Sequence, residues 1–272
     1  MSLSQVLPRL AAVVGVALVV GLGTASAQYE PRVGQEGKDV VWVPTSQALV
    51  DKMLDMAKVT PADYVIDLGS GDGRTVITAA KRGARAHGIE YNPDMVELSK
   101  KNAEKAGVAG KATFVKADIF QTDFSQATVL TLFLLPELNV KLWPKILAMK
   151  PGTRVVSNSF DMGDWAADEV SETVLAGCRT YCNAFLWIVP AKVEGTWKTA
   201  EGELALKQRF QAVTGTLTSG NVAAPVKGKL AGAEIAFSAG GAEYRGRVGG
   251  DAMTGTRTEG GKETAWRATR GR

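Results

Sequence analysis

Between residues 41 and 193, short apolar runs that suit buried strands alternate with stretches whose apolar positions recur every three to four residues, the period of a helix face. Val65-Ile66-Asp67 reads as a strand, and residues 74–81 as a helix that opens directly after a cluster of glycines. Residues 86–90 read as a second strand, followed by a helix over 93–106 with Pro93 in its first turn, where a missing N–H is not needed. Third and fourth strands are predicted at 113–118 and 128–134, a helix at 140–147, a turn at Lys150-Pro151-Gly152 and a fifth strand at 154–159. Alternation of this kind predicts an α/β unit: a mostly parallel sheet with helices on both faces.

After residue 193 the helical period disappears. Short alternating segments follow one another at 203–210, 212–218, 226–230, 234–238, 244–248, 252–257 and 264–268, separated by turn residues such as Ser219-Gly220-Asn221 and Gly240-Gly241. Half of the chain's 30 glycines lie in this last part. The pattern predicts a small antiparallel β-barrel-like domain over 194–272. Gly195-Thr196-Trp197 at its start resembles the opening of lipocalin-type barrels. Two readings of its interior stand, a ligand cavity and a filled structural core.

The first 27 residues follow neither pattern. Arg9 precedes an apolar run over 10–22, and Ala25-Ser26-Ala27 supplies an A-x-A ending. Together these read as a secretory signal peptide cleaved after Ala27, and the expectation is a protein exported or tethered to a membrane, with the side left open. The uncharged stretch 10–27 is also near the length of an uncleaved membrane anchor, and a buried helix is the third reading. Residues 28–40, polar and rich in Gly and charge, read as a linker to an α/β domain over 41–193.

With 272 residues, 45% apolar and 22% charged, the chain has room for two packed domains and lacks the composition of a disordered or fibrous protein. The net charge of +4 is spread along the chain rather than clustered, so no nucleic-acid partner is expected from it. One histidine and two cysteines argue against a metal site, and His87, at the start of a strand, reads as structural. Cys178 and Cys182 on one strand would lie about 13 Å apart, too far for a disulfide. Only a turn or helical segment between them allows a bridge.

The candidate chemistry lies between the first strand and the first following helix, in Asp67-Leu68-Gly69-Ser70-Gly71-Asp72-Gly73. Glycines there let the backbone approach a ligand closely. A dinucleotide loop would place its third glycine three residues after Gly71, where Arg74 stands. The G-x-G-x-G spacing behind an acid instead resembles motif I of class I methyltransferases. That resemblance implies a Rossmann-like sheet and S-adenosylmethionine as cofactor, its amino-acid end wrapped by Gly69, Ser70, Gly71, Asp72 and Gly73 and its ammonium organised by Asp67. Glu90, at the end of the second strand, suits the ribose hydroxyls. By the same resemblance Asp118, after the third, meets the adenine amino group, with Ile119 or Phe120 on the ring. The acceptor pocket is expected after the fourth strand, in Leu134-Leu135-Pro136-Glu137-Leu138-Asn139, where the N-P-P-Y signature of base- and glutamine-modifying enzymes is absent.

Four segments in order sharpen the resemblance: Val43-Pro44-Thr45-Ser46, Asp67 to Arg74, Leu134 to Asn139, and Lys150-Pro151-Gly152-Thr153-Arg154-Val155-Val156-Ser157. Together they resemble the lysine methyltransferase family that modifies adenine nucleotide translocase and the c subunit of ATP synthase, over about residues 40–165. The resemblance implies a protein substrate methylated on lysine, often near a membrane. Pro136, Glu137 and Asn139 are the candidate catalytic residues, with Thr45 and Pro44 as a lid over the cofactor. Glu137 can equally cap the helix that follows. Trp143 and Trp165 can wall the acceptor or belong to the core, and Asp161 is a second candidate for proton handling. A small-molecule or lipid methyltransferase uses the same core, and a non-catalytic protein that binds ligand through its barrel is the other alternative.

Overall fold

A computed structural model describes residues 29–171 and 178–271. The expected signal or anchor segment and residue 28 of the linker lie outside the described residues. None of the described helices is long and apolar enough to cross a membrane.

Seven strands form one sheet in the order β3-β2-β1-β4-β5-β7-β6. β1 (Tyr64–Leu68), β2 (Arg85–Glu90), β3 (Ala112–Lys116), β4 (Val129–Leu132) and β5 (Arg154–Asn158) run parallel. β7 (Ala184–Ile188) is antiparallel to both β5 and β6 (Glu169–Ser171). These last two strands follow the five expected from sequence. Four of the five residues of β1 and all of β4 are buried, as a sheet covered on both faces requires.

The helices are α1 (Gln47–Met56), α2 (Arg74–Lys81), α3 (Pro93–Lys105) and α4 (Pro136–Ile146). Ser46 caps α1, its hydroxyl accepting from Leu49 N–H, and Asn92 caps α3. α4 starts one turn earlier than the sequence pattern suggests. Pro136 occupies its first turn and Leu135 its N-cap, with no side-chain hydrogen bond. Glu137 therefore sits within the first turn, where a carboxylate complements the helix dipole, and is not the capping residue.

Eight strands, β8 (Gly195–Thr199) to β15 (Lys262–Arg270), close into an antiparallel barrel, β15 pairing back onto β8. β11 (Val222–Ala231) is twice the length its central apolar run indicates, because its first residues, Val222 and Ala223, are both exposed and break the alternation. The interior is filled by side chains. Phe237 and Tyr244 stack at 4.6 Å, and Trp266 meets both edge-on at 5.5 Å. Trp197 is fully buried and donates its indole N–H to Val193 O at 2.7 Å.

The barrel locks onto the α/β unit through the turn between β9 (Glu203–Arg209) and β10 (Ala212–Ser219). Phe210 stacks on Trp165 at 5.6 Å and meets Trp143 edge-on at 4.9 Å. Around it, Gln211 Nε2 donates to Ala166 O at 2.7 Å and Arg209 pairs with Asp164 at 2.8 Å. The two tryptophans thus form the socket for the barrel rather than walls for an acceptor.

Candidate active site

The loop after β1 is held open by its neighbours. Gly69, Gly71 and Gly73 have φ of 86°, 53° and 83°. A Cβ on Gly71 would come within 2.6 Å of Trp42 Nε1, and one on Gly73 within 2.9 Å of Phe114 and Ser99, so both strain and space demand glycine. Gly71 N–H donates to Glu90 Oε2 at 2.9 Å, and Ser99 Oγ donates to Gly71 O at 2.8 Å. Arg74 ties the loop to the segment before α1: it pairs with Asp72 at 2.6 Å and donates to Thr45 O at 2.7 Å.

This loop borders a cavity of about 420 Å³ along the carboxyl ends of the parallel strands. Such a crevice beside a topological switch point, here between β1 and β4, is where open α/β sheets bind ligands. Thr45, Asp67, Gly69, Ser70, Gly71, Asp72, Glu90, Asp118 and Ile119 all line it. Gly73 does not; it supplies the left-handed N-cap of α2. Pro136, Glu137 and Asn139 also lie off the cavity, because α4 has begun by then and turns the chain away. Glu137 is exposed. Asn139 is fully buried, and its Nδ2 donates to Asp161 O at 2.9 Å, so it braces the turn after β5. Asp161 accepts locally from Gly163 N–H at 3.0 Å and lies off the cavity as well.

The electrostatics differ from one end of the cavity to the other. Asp67 is 7% exposed, and Thr131 Oγ1 donates to it at 2.6 Å. Burial first, then the nearby Glu90 and Asp72 carboxylates, push its pKa up to about 7. A cation beside these three acids would relieve that repulsion. Asp118 is the opposite case: the Lys38 ammonium, 2.7 Å away, holds its carboxyl below the ordinary range, assisted by the Phe120 N–H.

Lys38 and Trp42 are functional candidates that sequence reasoning passed over. Residues 35–39, expected as linker, line the cavity, and Lys38 lies 5.3 Å from the Tyr91 ring. Their polar, Gly-rich composition gives no periodic signal, so only their packing marks them. On the far side of the sheet order, Phe133, Leu134, Leu135, Phe160 and Tyr181 complete the wall. Tyr181 lies between Cys178 and Cys182, which do form a disulfide, with Cα atoms 5.8 Å apart. The chain turns there instead of running as a strand, which removes the distance that would forbid the bridge.

The family model described as the ANTKMT methyltransferase domain matches residues 67–169, from the end of β1 through β5 to the first residue of β6. A protein-lysine N-methyltransferase of Saccharolobus islandicus (strain REY15A) is 47% identical over 134 residues, which cover 48% of this chain and 83% of that protein. The chain belongs to the protein-lysine N-methyltransferase family. A lysine N-methyltransferase of the ATP synthase c-subunit, from Mus musculus, is 35% identical over 131 residues, and the match spans 48% of this chain and about half, 53%, of the mouse protein. Among solved structures, an RNA methyltransferase from Salinibacter ruber in complex with S-adenosyl-L-homocysteine is 46% identical with a TM-score of 0.51, covering 56% of this chain and 96% of that one.

As a methyltransferase of this family the chain uses S-adenosylmethionine. The cavity fits that cofactor on its own chemistry. Asp67, Asp72 and Glu90 would compensate a sulfonium and an ammonium. Glu90 ends the strand beside the loop, and the buried Ser70 hydroxyl has no protein partner among the described residues. Along the sheet, Asp118 after β3, Glu90 on β2, Gly69 after β1 and Leu134 after β4 would order adenine, ribose, amino acid and methyl group.

Proposed function

We propose that this protein transfers the methyl group of S-adenosylmethionine to the side-chain amine of a lysine in a protein substrate. The observation that carries the reading is the 47% identity over 134 residues to a protein-lysine N-methyltransferase, of which 83% is covered. The bound cofactor supplies an electrophilic methyl on a sulfonium, open to in-line displacement. The residues of this chain then have three tasks. Asp67 and Glu90, the latter oriented by the Gly71 N–H, hold the cofactor's charged and hydroxyl groups, and Asp118 its base. Thr45 lines the cavity, its hydroxyl accepting from Asn158 Nδ2 at 3.1 Å. Leu134, Leu135 and Leu138 exclude water from the point where the methyl is delivered, which lowers the amine's pKa there and favours the neutral nucleophile. No carboxylate from the ends of β4, β5 or β7 lines the cavity among the described residues, so desolvation rather than a charged base carries the deprotonation.

The same proposal has the protein acting beyond or on a membrane. The export-like first 27 residues support it, and so does the Cys178–Cys182 disulfide, which persists in oxidising compartments. An acceptor in or near that membrane follows.

The decisive experiment labels a membrane fraction with deuterated-methyl S-adenosylmethionine and the purified protein, then maps the label by mass spectrometry. Label on a lysine supports the reading. Label in RNA, the substrate class named for the Salinibacter relative, or in lipid overturns it. Intact mass of the native protein then shows whether Gln28 is its first residue.

A further inference from the structure

Three rings gather at the acceptor end of the cavity. Phe133 follows β4, Phe160 follows β5 and Tyr181 precedes β7, so they occupy three successive places in the sheet order, on the side away from Glu90 and Asp118. Phe133 lies 6.0 Å from Phe160 and 5.4 Å from Tyr181, and Phe160 lies 5.8 Å from Tyr181. All three line the same cavity as Thr45 and the glycine loop. Phe133 and Phe160 are half-buried, while Tyr181 is 45% exposed and stands at the mouth.

Tyr181 is also held in an unfavourable backbone state, with φ of 56°. A bulky residue stays in this left-handed region only when its surroundings impose it. The surroundings here are the two cysteines on either side, joined across a sequence separation of 4. Cys178 Sγ lies 3.7 Å from Tyr181 O.

Aromatic faces without a neighbouring carboxylate attract an alkylammonium through the ring quadrupole while keeping water away from it. We propose that Phe133, Phe160 and Tyr181 form a wall that receives the ammonium of the acceptor lysine. The Cys178–Cys182 bridge positions Tyr181 in that wall, so that acceptor binding depends on the bridge remaining oxidised. The inference rests on the lysine reading above. Opening the bridge takes two electrons and two protons from a dithiol, which leaves as its own cyclic disulfide while both cysteines become thiols.

The test uses the full chain loaded with S-adenosylhomocysteine and two probes. One is Nα-acetyl-Nε-trimethyl-lysine methylamide, and the other its neutral isostere with carbon in place of the quaternary nitrogen. Saturation-transfer NMR reads binding of each. The cation is expected to bind about fivefold tighter than the isostere. Tyr181→Ala is expected to abolish that preference, and Tyr181→Phe, which keeps the ring, to retain it. Cys178→Ser with Cys182→Ser should also abolish it. Dithiothreitol should do the same to the native protein and change nothing further in the serine pair. S-adenosylhomocysteine affinity should stay the same in every variant, which separates a lost wall from a lost fold. Equal binding of the two probes, no binding of either, or a preference that survives Tyr181→Ala overturns the wall. A preference untouched by both the serine pair and dithiothreitol overturns the positioning role of the bridge. Label on a residue other than lysine in the membrane-fraction experiment would remove the lysine reading, while the probe preference would still report on the rings.

Discussion

Asp67 is the residue whose chemistry is most altered by the fold. Burial and two neighbouring carboxylates raise its pKa to about 7, so in the cofactor-free protein it is largely protonated below that pH. A carboxylate is the form that favours a cation, and bringing the sulfonium and ammonium beside it lowers the pKa again. Binding below pH 7 therefore releases a proton, and affinity for S-adenosylmethionine is expected to rise by up to about tenfold per pH unit as pH increases towards 7, then level off. Calorimetry in two buffers of different ionisation enthalpy measures that proton, and Asp67→Asn should remove the dependence. A second residue-scale expectation concerns Gly71. With φ of 53° and the Trp42 indole 2.6 Å from a hypothetical Cβ, Gly71→Ala should abolish cofactor binding while the barrel melts unchanged, as read by ligand titration and thermal denaturation. Glu137→Gln, by contrast, alters an exposed side chain outside the cavity and should leave turnover unchanged; a strong loss would return Glu137 to the acceptor pocket.

Among the elements, the β9–β10 turn has a role out of proportion to its length. Phe210 fills the gap between Trp143 and Trp165, and truncating a well-packed phenylalanine costs about 3 kcal/mol. Because this ring joins two cores that are otherwise separate, Phe210→Ala should split denaturant unfolding into two transitions, followed by far-ultraviolet dichroism. The helical signal of α1–α4 reports on the α/β unit, and the strand signal that outlasts or precedes it on the barrel. A single transition at reduced stability would mean that the Gln211–Ala166 hydrogen bond and the Arg209–Asp164 ion pair suffice to couple the halves. The placement of α4 acts at the same scale: by beginning at Pro136 it removes Pro136, Glu137 and Asn139 from the cavity and leaves that edge to Leu134, Leu135 and Leu138.

At the scale of the whole molecule, the barrel has a closed hydrogen-bonding pattern and an apolar interior of its own. Residues 190–271 expressed alone should therefore fold and melt cooperatively, checked by circular dichroism. The α/β unit expressed without them exposes its Trp143 and Trp165 socket and should self-associate, checked by light scattering. The family match ends at residue 169, so the barrel is an addition to the part that binds cofactor, and its attachment leaves the strand ends of the crevice open.

The sequence by itself determined the local features. A glycine run after an apolar strand, acids at successive strand ends, Pro93 in a first turn and the change of period after residue 193 all express short-range sterics and side-chain alternation, which neighbouring residues set. It was silent where contacts join distant segments. Residues 35–39 have no period and reach the site only because Lys38 finds Asp118, 80 positions away. The tryptophans could not be assigned to wall or core until Phe210 came back from another domain to cover them. Thus the cofactor end of the site was legible as a motif, because one strand–loop–helix unit builds most of it. The acceptor end was not: Phe133, Phe160 and Tyr181 belong to three separate connections, and only the sheet order brings their rings to one place.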